Sequence, residues 1–195
     1  QTKETLNSAP GAAAPGGVTS IVLPPDTDPV IDEPSVVDFI LRRARDIELV
    51  TVHVAGAATK GARGERMAEI GLMAEAGCRY ISDADRPIVD SKVMRRVLSY
   101  AKAFGVLVAH RPADPWLSAG AAASEGEFAS RMGLPSVPAI AEKIMLERDL
   151  ALVELTGARL LVDQLTTADA LESFRRARDK GLPVTATTSI NHLSL

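Results

Sequence analysis

The chain holds 195 residues, 46% hydrophobic and 24% charged, an ordinary globular balance with enough apolar material for one domain with a full core. Its net charge of −3 gives no electrostatic footprint for nucleic acid or an acidic membrane, and no apolar run approaches the roughly 18 residues of a membrane span. The single cysteine, Cys78, excludes an intrachain disulfide and a cysteine-rich metal site, and no basic-then-apolar leader is visible, so a cytoplasmic protein is expected.

In chain order, residues 1–17 are small, polar and glycine-rich, and the alanine run suits a short helix stopped by Pro15 and Gly16. Val18 to Leu23 reads as a strand, followed by a stiff acidic loop, PPDTDP, that holds Asp26 and Asp28. Pro34 opens a helix to about Asp46 with Val37, Ile40, Leu41 and Ala44 inward. Leu49 to Ala55 is the next strand, and a glycine-punctuated loop with Lys60 leads to a helix over Glu65 to Glu75 capped by Gly77.

Tyr80 to Trp116 forms the centre of the chain. A short apolar run ends in the acidic turn Ser82 to Arg86. A helix follows, which Asp90 or Ser91 can cap, with Val93, Val97, Leu98, Ala101 and Phe104 on one face. Gly105 ends it, and Val106 to Ala109 is too short for a helix and apolar throughout, as in a strand covered on both faces. This β-α-β unit places the turns Ser82 to Arg86 and His110 to Asp114 at the same end of two parallel strands. Trp116 is expected to anchor the following loop by packing. Residues 117–138 read as an irregular region, Pro138 to Leu155 as a helix, Arg159 to Asp163 as a strand, Thr167 to Lys180 as a helix closed by Gly181, and Pro183 to Thr188 as a last strand, with no closing helix over 191–195.

Six strands alternating with helices predict a parallel sheet with right-handed crossovers. Two α/β architectures compete: a doubly wound open sheet and a (β/α)8 TIM barrel with about six of its eight strands. LPPDTD after the first strand lacks the glycines that bring a backbone up to a pyrophosphate, which favours the barrel. The expectation is a single barrel domain over 1–195, incomplete at both ends.

In a barrel the strand C-termini share one mouth. The polar residues there are Asp26, Lys60, Asp83, Asp85, His110, Arg111, Asp163, Gln164, Asn191 and His192. His53, within a strand, reads as a hydrogen-bonded barrel or interface residue. The three histidines are too scattered for a local motif such as H-E-x-x-H. By themselves these side chains define a polar pocket of open chemistry. The arginine runs Arg42, Arg43, Arg45 and Arg175, Arg176, Arg178 read as solvated helix faces.

The stretches PPDTDPVIDEPSVVDFI, ATKGARGERMAEIGLMAEAGC, SDADRPIVDSKVMRRVLSYAKAFGV, EGEFASRMGLPSVPAIAEKIMLERDLALVELTGARL and GLPVTATTSINHL resemble dihydroorotase of the amidohydrolase superfamily, over nearly the whole chain. The resemblance implies a (β/α)8 barrel that hydrolyses or closes the cyclic amide of dihydroorotate in pyrimidine biosynthesis, using one or two zinc ions. In that family the ligands are a His-x-His after the first strand, an Asp after the fourth, histidines after the fifth and sixth, and an Asp after the eighth. The first pair would lie upstream of Gln1 and the last Asp downstream of Leu195.

At the positions that can be inspected the pattern departs. The family's S-D-D-G reads Ser82, Asp83, Ala84, Asp85 here, with alanine at the ligand. A gapless match sets Arg111 where the next ligand histidine belongs, and His110 one place early. The family's H-V-S-T reads Gln164, Leu165, Thr166, Thr167. Asp26 replaces the first asparagine of P-N-T-N-P, which holds the substrate carboxylate, and only His192 remains of the pair in T-P-H-H. A guanidinium that stays protonated has no lone pair for zinc, and hydrolysis in this family depends on the metal to acidify water.

The resemblance therefore implies a dihydroorotase-like pseudoenzyme without a zinc site or other cofactor, a homo-oligomer, serving as a structural subunit with aspartate carbamoyltransferase. Two other readings stand beside it. One is an active zinc-dependent cyclic amidohydrolase with a rearranged site of Asp83 or Asp85, His110, Asp163 and His192. The other is a metal-free protein that binds a small anion through Arg111.

Overall fold

A computed structural model describes residues 5–6, 8–46 and 49–194; the expectations for residues 1–4 and for Leu195 lie outside them. Among the described residues, eight strands and eight α-helices follow in order: α1 (Ser8–Ala13), β1 (Ser20–Leu23), α2 (Pro34–Arg45), β2 (Thr51–Ala57), α3 (Ile70–Glu75), β3 (Tyr80–Ser82), α4 (Ser91–Ala103), β4 (Leu107–His110), β5 (Ala123–Ser124), α5 (Glu127–Met132), β6 (Ser136–Val137), α6 (Ile140–Thr156), β7 (Leu160–Val162), α7 (Ala168–Asp179), β8 (Val184–Ala186) and α8 (Ile190–Ser194).

Six strands form one parallel sheet in the order β1-β2-β3-β4-β7-β8. Each new strand of that sheet joins on the same side as the one before it. A doubly wound sheet must reverse direction at a switch point, and this one never does. Its side chains alternate accordingly. Val54, Ile81, Val108, Leu160, Val162 and Val184 are buried in one core with Val37, Ile40, Met73, Met94, Leu98, Leu146 and Val153 from the helices. The opposite face carries Val22, Tyr80, Leu107, Leu161 and Thr185, all partly or fully exposed. Helices on one face and steady strand addition make six consecutive units of a (β/α)8-type barrel wall.

Local chemistry explains the elements. Pro34 sits in the first turn of α2, and Val37, Ile40 and Ala44 are its buried stripe, while Leu41 is only half-buried. Asp90 caps α4, its Oδ1 accepting the amides of Lys92 at 2.7 Å and Val93 at 3.2 Å. Met94, Val97, Leu98 and Ala101 form the inward face of α4. Phe104, expected on that face, lies just past the helix end, 44% exposed, its ring centroid 5.0 Å from that of Tyr100 and tilted by 49°. Thr167 caps α7 through the Ala170 amide.

The predicted helix over 65–75 begins only at Ile70. Residues 58–68 instead form a folded excursion: the Lys60 amide bonds Arg66 O, the Ala68 amide bonds Ala58 O, and Thr59 bridges Met67 in antiparallel sense. Gly64 at φ +74° makes the turn that this return requires. The region expected to be irregular after Trp116 contains α5 and a two-stranded parallel sheet of β5 and β6. The last residues, expected to lack a helix, form the single-turn α8.

Trp116 is no packing anchor, being 73% exposed. Asp114 Oδ1 accepts the amides of Trp116 and Leu117, at 3.0 and 2.9 Å, so the turn is fixed by its carboxylate and not by the indole. Among the described residues, no helix is long and apolar enough to cross a membrane.

Candidate functional site

The C-terminal ends of the strands surround a cavity of about 290 Å3 lined by Asp26, Tyr80, Ser82, Asp85, Asp163 and Thr187, with Ala109 and Leu161 at its floor. Pleating decides this membership. Ala109 and Leu161 are paired across β4 and β7 and face the cavity, so Val108 and His110 face the helices. The next mouth-facing position after Ala109 is therefore that of Arg111, one residue beyond the strand.

Arg111 Nη1 contacts Asp85 Oδ1 at 2.6 Å, joining the two turns predicted to share one end of the sheet. Asp163 Oδ1 accepts from Thr187 Oγ1 at 2.8 Å, and Thr187 Oγ1 in turn accepts the Gln164 amide at 3.1 Å. Gln164 occupies the left-handed region at φ +58°, as does Ala84 at φ +55°, whose amide is held by Ser82 Oγ at 3.0 Å. Tyr80 has its phenol pKa raised, first by burial and then by the negative charge of Asp163.

Of the expected site residues, Asp26, Asp85 and Asp163 line the cavity, Arg111 and Gln164 lie outside its lining, and Asp83, His110 and Lys60 are turned away from it. Asp83 is buried, and its carboxylate accepts the Thr59 amide at 2.9 Å and the Thr59 hydroxyl at 2.5 Å. Burial raises its pKa, opposed by these hydrogen bonds. Since Thr59 Oγ1 also accepts the Gly64 amide at 2.8 Å, Asp83 anchors the whole 58–68 excursion.

His110 points into the layer between sheet and helices. Its Nε2 accepts the Ile88 amide at 2.8 Å and is therefore the unprotonated nitrogen, which leaves Nδ1 as donor to Asp149 Oδ2 at 2.6 Å. Asp149 Oδ1 lies 2.8 Å from Arg148 Nε, an ion pair without hydrogen-bond alignment. Arg148 also donates to the Ile88 and Val89 carbonyls. Lys60 reaches the other way, to Asp32 O at 3.4 Å and Glu33 Oε1 at 3.6 Å beside the start of α2.

Asn191 and His192 are exposed on α8, with His192 Nδ1 2.7 Å from Ser189 Oγ, and neither lines the cavity. His53 stays in β2, where it accepts from Arg79 Nε at 3.3 Å.

Sequence reasoning missed Tyr80, Ser82 and Thr187 as lining residues, though alternation along β3 puts the first two on one face. It also missed Asp149 and Glu142, both buried on α6; Glu142 accepts the Thr166 amide at 2.9 Å and hydroxyl at 2.5 Å. Their spacing of seven within an otherwise apolar helix face was the available signal.

The mouth position on β4 carries a guanidinium, both nitrogens of His110 are engaged elsewhere, and among the described residues no three of His, Cys, Asp and Glu are placed to hold a metal ion.

Residues 1–170 match the family model described as "Dihydro-orotase-like". The chain is 42% identical over 193 residues to a dihydroorotase of Anaeromyxobacter dehalogenans (strain 2CP-C), covering 99% of this chain and 45% of that protein. It is 40% identical over 193 residues to a dihydroorotase of Desulfotalea psychrophila, covering 99% of this chain and 46% of that one. It thus spans less than half the length of these curated relatives. Among solved structures, the L-hydantoinase (dihydropyrimidinase) of Arthrobacter aurescens superposes with a TM-score of 0.75 at 18% identity, over 95% of this chain and 42% of that one. A D-hydantoinase from a Bacillus sp. gives 0.73 at 20%, over 98% and 44%. These two likenesses concern the fold.

Proposed function

Because the chain belongs to the dihydro-orotase-like family, we propose that it is a non-catalytic dihydroorotase homologue that serves pyrimidine biosynthesis as a structural subunit with aspartate carbamoyltransferase. The observation that carries this reading is the Arg111–Asp85 ion pair, 2.6 Å long, at the mouth position where the family places a ligand histidine. A cation there repels a second cation, and its carboxylate partner is already engaged. Ala84 and Gln164 at the two other inspectable ligand positions offer zinc no anionic donor. Zinc is absent from this reading, and so is the activated water that hydrolysis would need.

The test is elemental analysis of the purified full-length protein, together with dihydroorotate hydrolysis and gel filtration alongside the transferase. The expected outcome is no stoichiometric zinc, no hydrolysis and salt-resistant co-elution. Stoichiometric zinc with turnover overturns the reading, and a protein that elutes alone removes the subunit role.

A second reading, an active cyclic amidohydrolase acting on dihydroorotate with zinc, is favoured by the 42% identity to a protein named dihydroorotase. Of the donors it would draw on here, Asp85 and Asp163 line the cavity, while Asp83, His110 and His192 do not.

A further inference from the structure

On the outer surface, away from the mouth, α4 and the 58–68 excursion enclose an open groove of about 820 Å3. Its walls carry Arg66, Lys92, Arg95 and Arg96, with Tyr100 at one end and the half-buried Met67 and Val93 as its floor. The charge is local and unbalanced. α4 contains no acidic residue between Ser91 and Ala103, although the whole chain carries −3. On three other helices one arginine has a carboxylate one turn away: Arg42 with Asp38 on α2, Arg131 with Glu127 on α5, Arg176 with Glu172 on α7. Among the described residues none of the four groove cations is ion-paired, and Glu65 is the one acidic residue on the rim.

We infer that this groove docks an acidic segment of a protein partner, in extended form, with aliphatic side chains among its carboxylates. The cations do not converge on a point, as a single phosphate would require. Lys92, Arg95, Arg96, Ser99, Tyr100 and Ala103 follow one helix face for about 16 Å, the length of about five residues of extended chain. The apolar strip between the cations receives aliphatic side chains, and Tyr100 offers a rigid contact with a hydroxyl at its tip. A nucleic acid fits less well, because the basic surface is confined to one groove, lined by Tyr100 as its single aromatic, on a net negative chain. The inference stands on the outer face and is independent of what the mouth does.

The test uses the full chain and three fluorescent probes of similar length: an alternating Glu-Leu peptide, an all-Glu peptide and a single-stranded oligonucleotide. The alternating peptide is expected to bind most tightly and to weaken steeply with salt. Arg95→Glu/Arg96→Glu should weaken it at least about tenfold with the circular dichroism spectrum unchanged. Tyr100→Ala should weaken the alternating peptide and leave the all-Glu peptide nearly unaffected. Tighter binding of the oligonucleotide, equal binding of both peptides, no binding of either, or binding indifferent to the double charge reversal would each overturn the inference.

Discussion

Replacing Asp149 with alanine tests whether the buried cluster of Asp149, His110 and Arg148 holds the β4 end of the mouth in place. Both the Asp149 and His110 side chains are 1% exposed, so water cannot replace what is removed. His110 Nδ1–H loses its acceptor, a cost of about 1–3 kcal/mol for a buried unsatisfied donor. Breaking a buried pair from one side costs about 3–5 kcal/mol in general. Here Arg148 keeps the Ile88 and Val89 carbonyls, so the low end, about 3 kcal/mol, is expected. At about 2–4 °C per kcal/mol for a chain of this size, the midpoint should fall by about 6–12 °C. Asp149→Asn, whose amide oxygen still accepts from Nδ1, should lose roughly half as much. The control is Asp85→Ala, whose carboxylate is 76% exposed and should cost at most about 1 kcal/mol. Urea and thermal unfolding of the three variants, followed by circular dichroism, give the comparison. If Asp149→Ala loses no more than Asp85→Ala, the cluster does not secure the fold and the tautomer assigned to His110 has no structural consequence.

Gly56→Ala on β2 should destabilise by about 1–3 kcal/mol, because the new Cβ would meet Met73 Sδ at 3.0 Å, Cys78 Sγ at 3.1 Å and Ile81 Cδ1 at 3.2 Å inside a packed core; an unchanged urea midpoint would contradict that packing. Burial pushes the Cys78 thiol up to about 12, so at pH 8 only about one molecule in ten thousand holds the thiolate, and a disulfide-exchange reagent should react quickly in denaturant but hardly at all with the native chain. The raised pKa of Asp83 has a definite sign: the native state holds a proton that the unfolded state has released, so this group's contribution to stability falls as pH rises through the folded value. Urea midpoints of wild type and Asp83→Asn measured from pH 3 to 7 should therefore show the wild type losing stability relative to the variant as pH rises; a wild type that gains on the variant instead would mean that the Thr59 hydrogen bonds, and not burial, set the sign of the shift.

Much of the wall was legible because parallel strands and amphipathic helices declare themselves locally. Val106 to Ala109 is a run too short for anything but a strand, and Gly105 before it and Pro34 at the start of α2 fix ends that the structure keeps. The failures share one cause. Met67, Ala68, Ile70 and Met73 have a helical look, yet the Asp83–Thr59 contact spans 24 residues and holds 65–69 in a bent return, bridged once at Met67, that no local window can contain. Phe104 likewise follows the helical period of α4, but the chain turns at Gly105 before that residue can be buried.

The site divides along the same line. Strand parity alone separates His110 from Arg111, since Val108 and His110 must share a face and Val108 belongs to the core. What parity cannot supply is the partner that makes the choice stable. Asp149 lies 39 residues from His110, on the seventh position after Glu142, and each acid ties α6 to the C-terminal end of a strand: Glu142 to Thr166 just after β7, Asp149 to His110 as the last residue of β4. A histidine fixed from both nitrogens has no lone pair to turn toward the mouth without orphaning the Ile88 amide and the Asp149 carboxylate together. Moving His110 into the cavity would thus cost two buried hydrogen bonds and displace Arg111 from Asp85, and the arrangement with a cation at the mouth is the one that leaves every one of these groups paired.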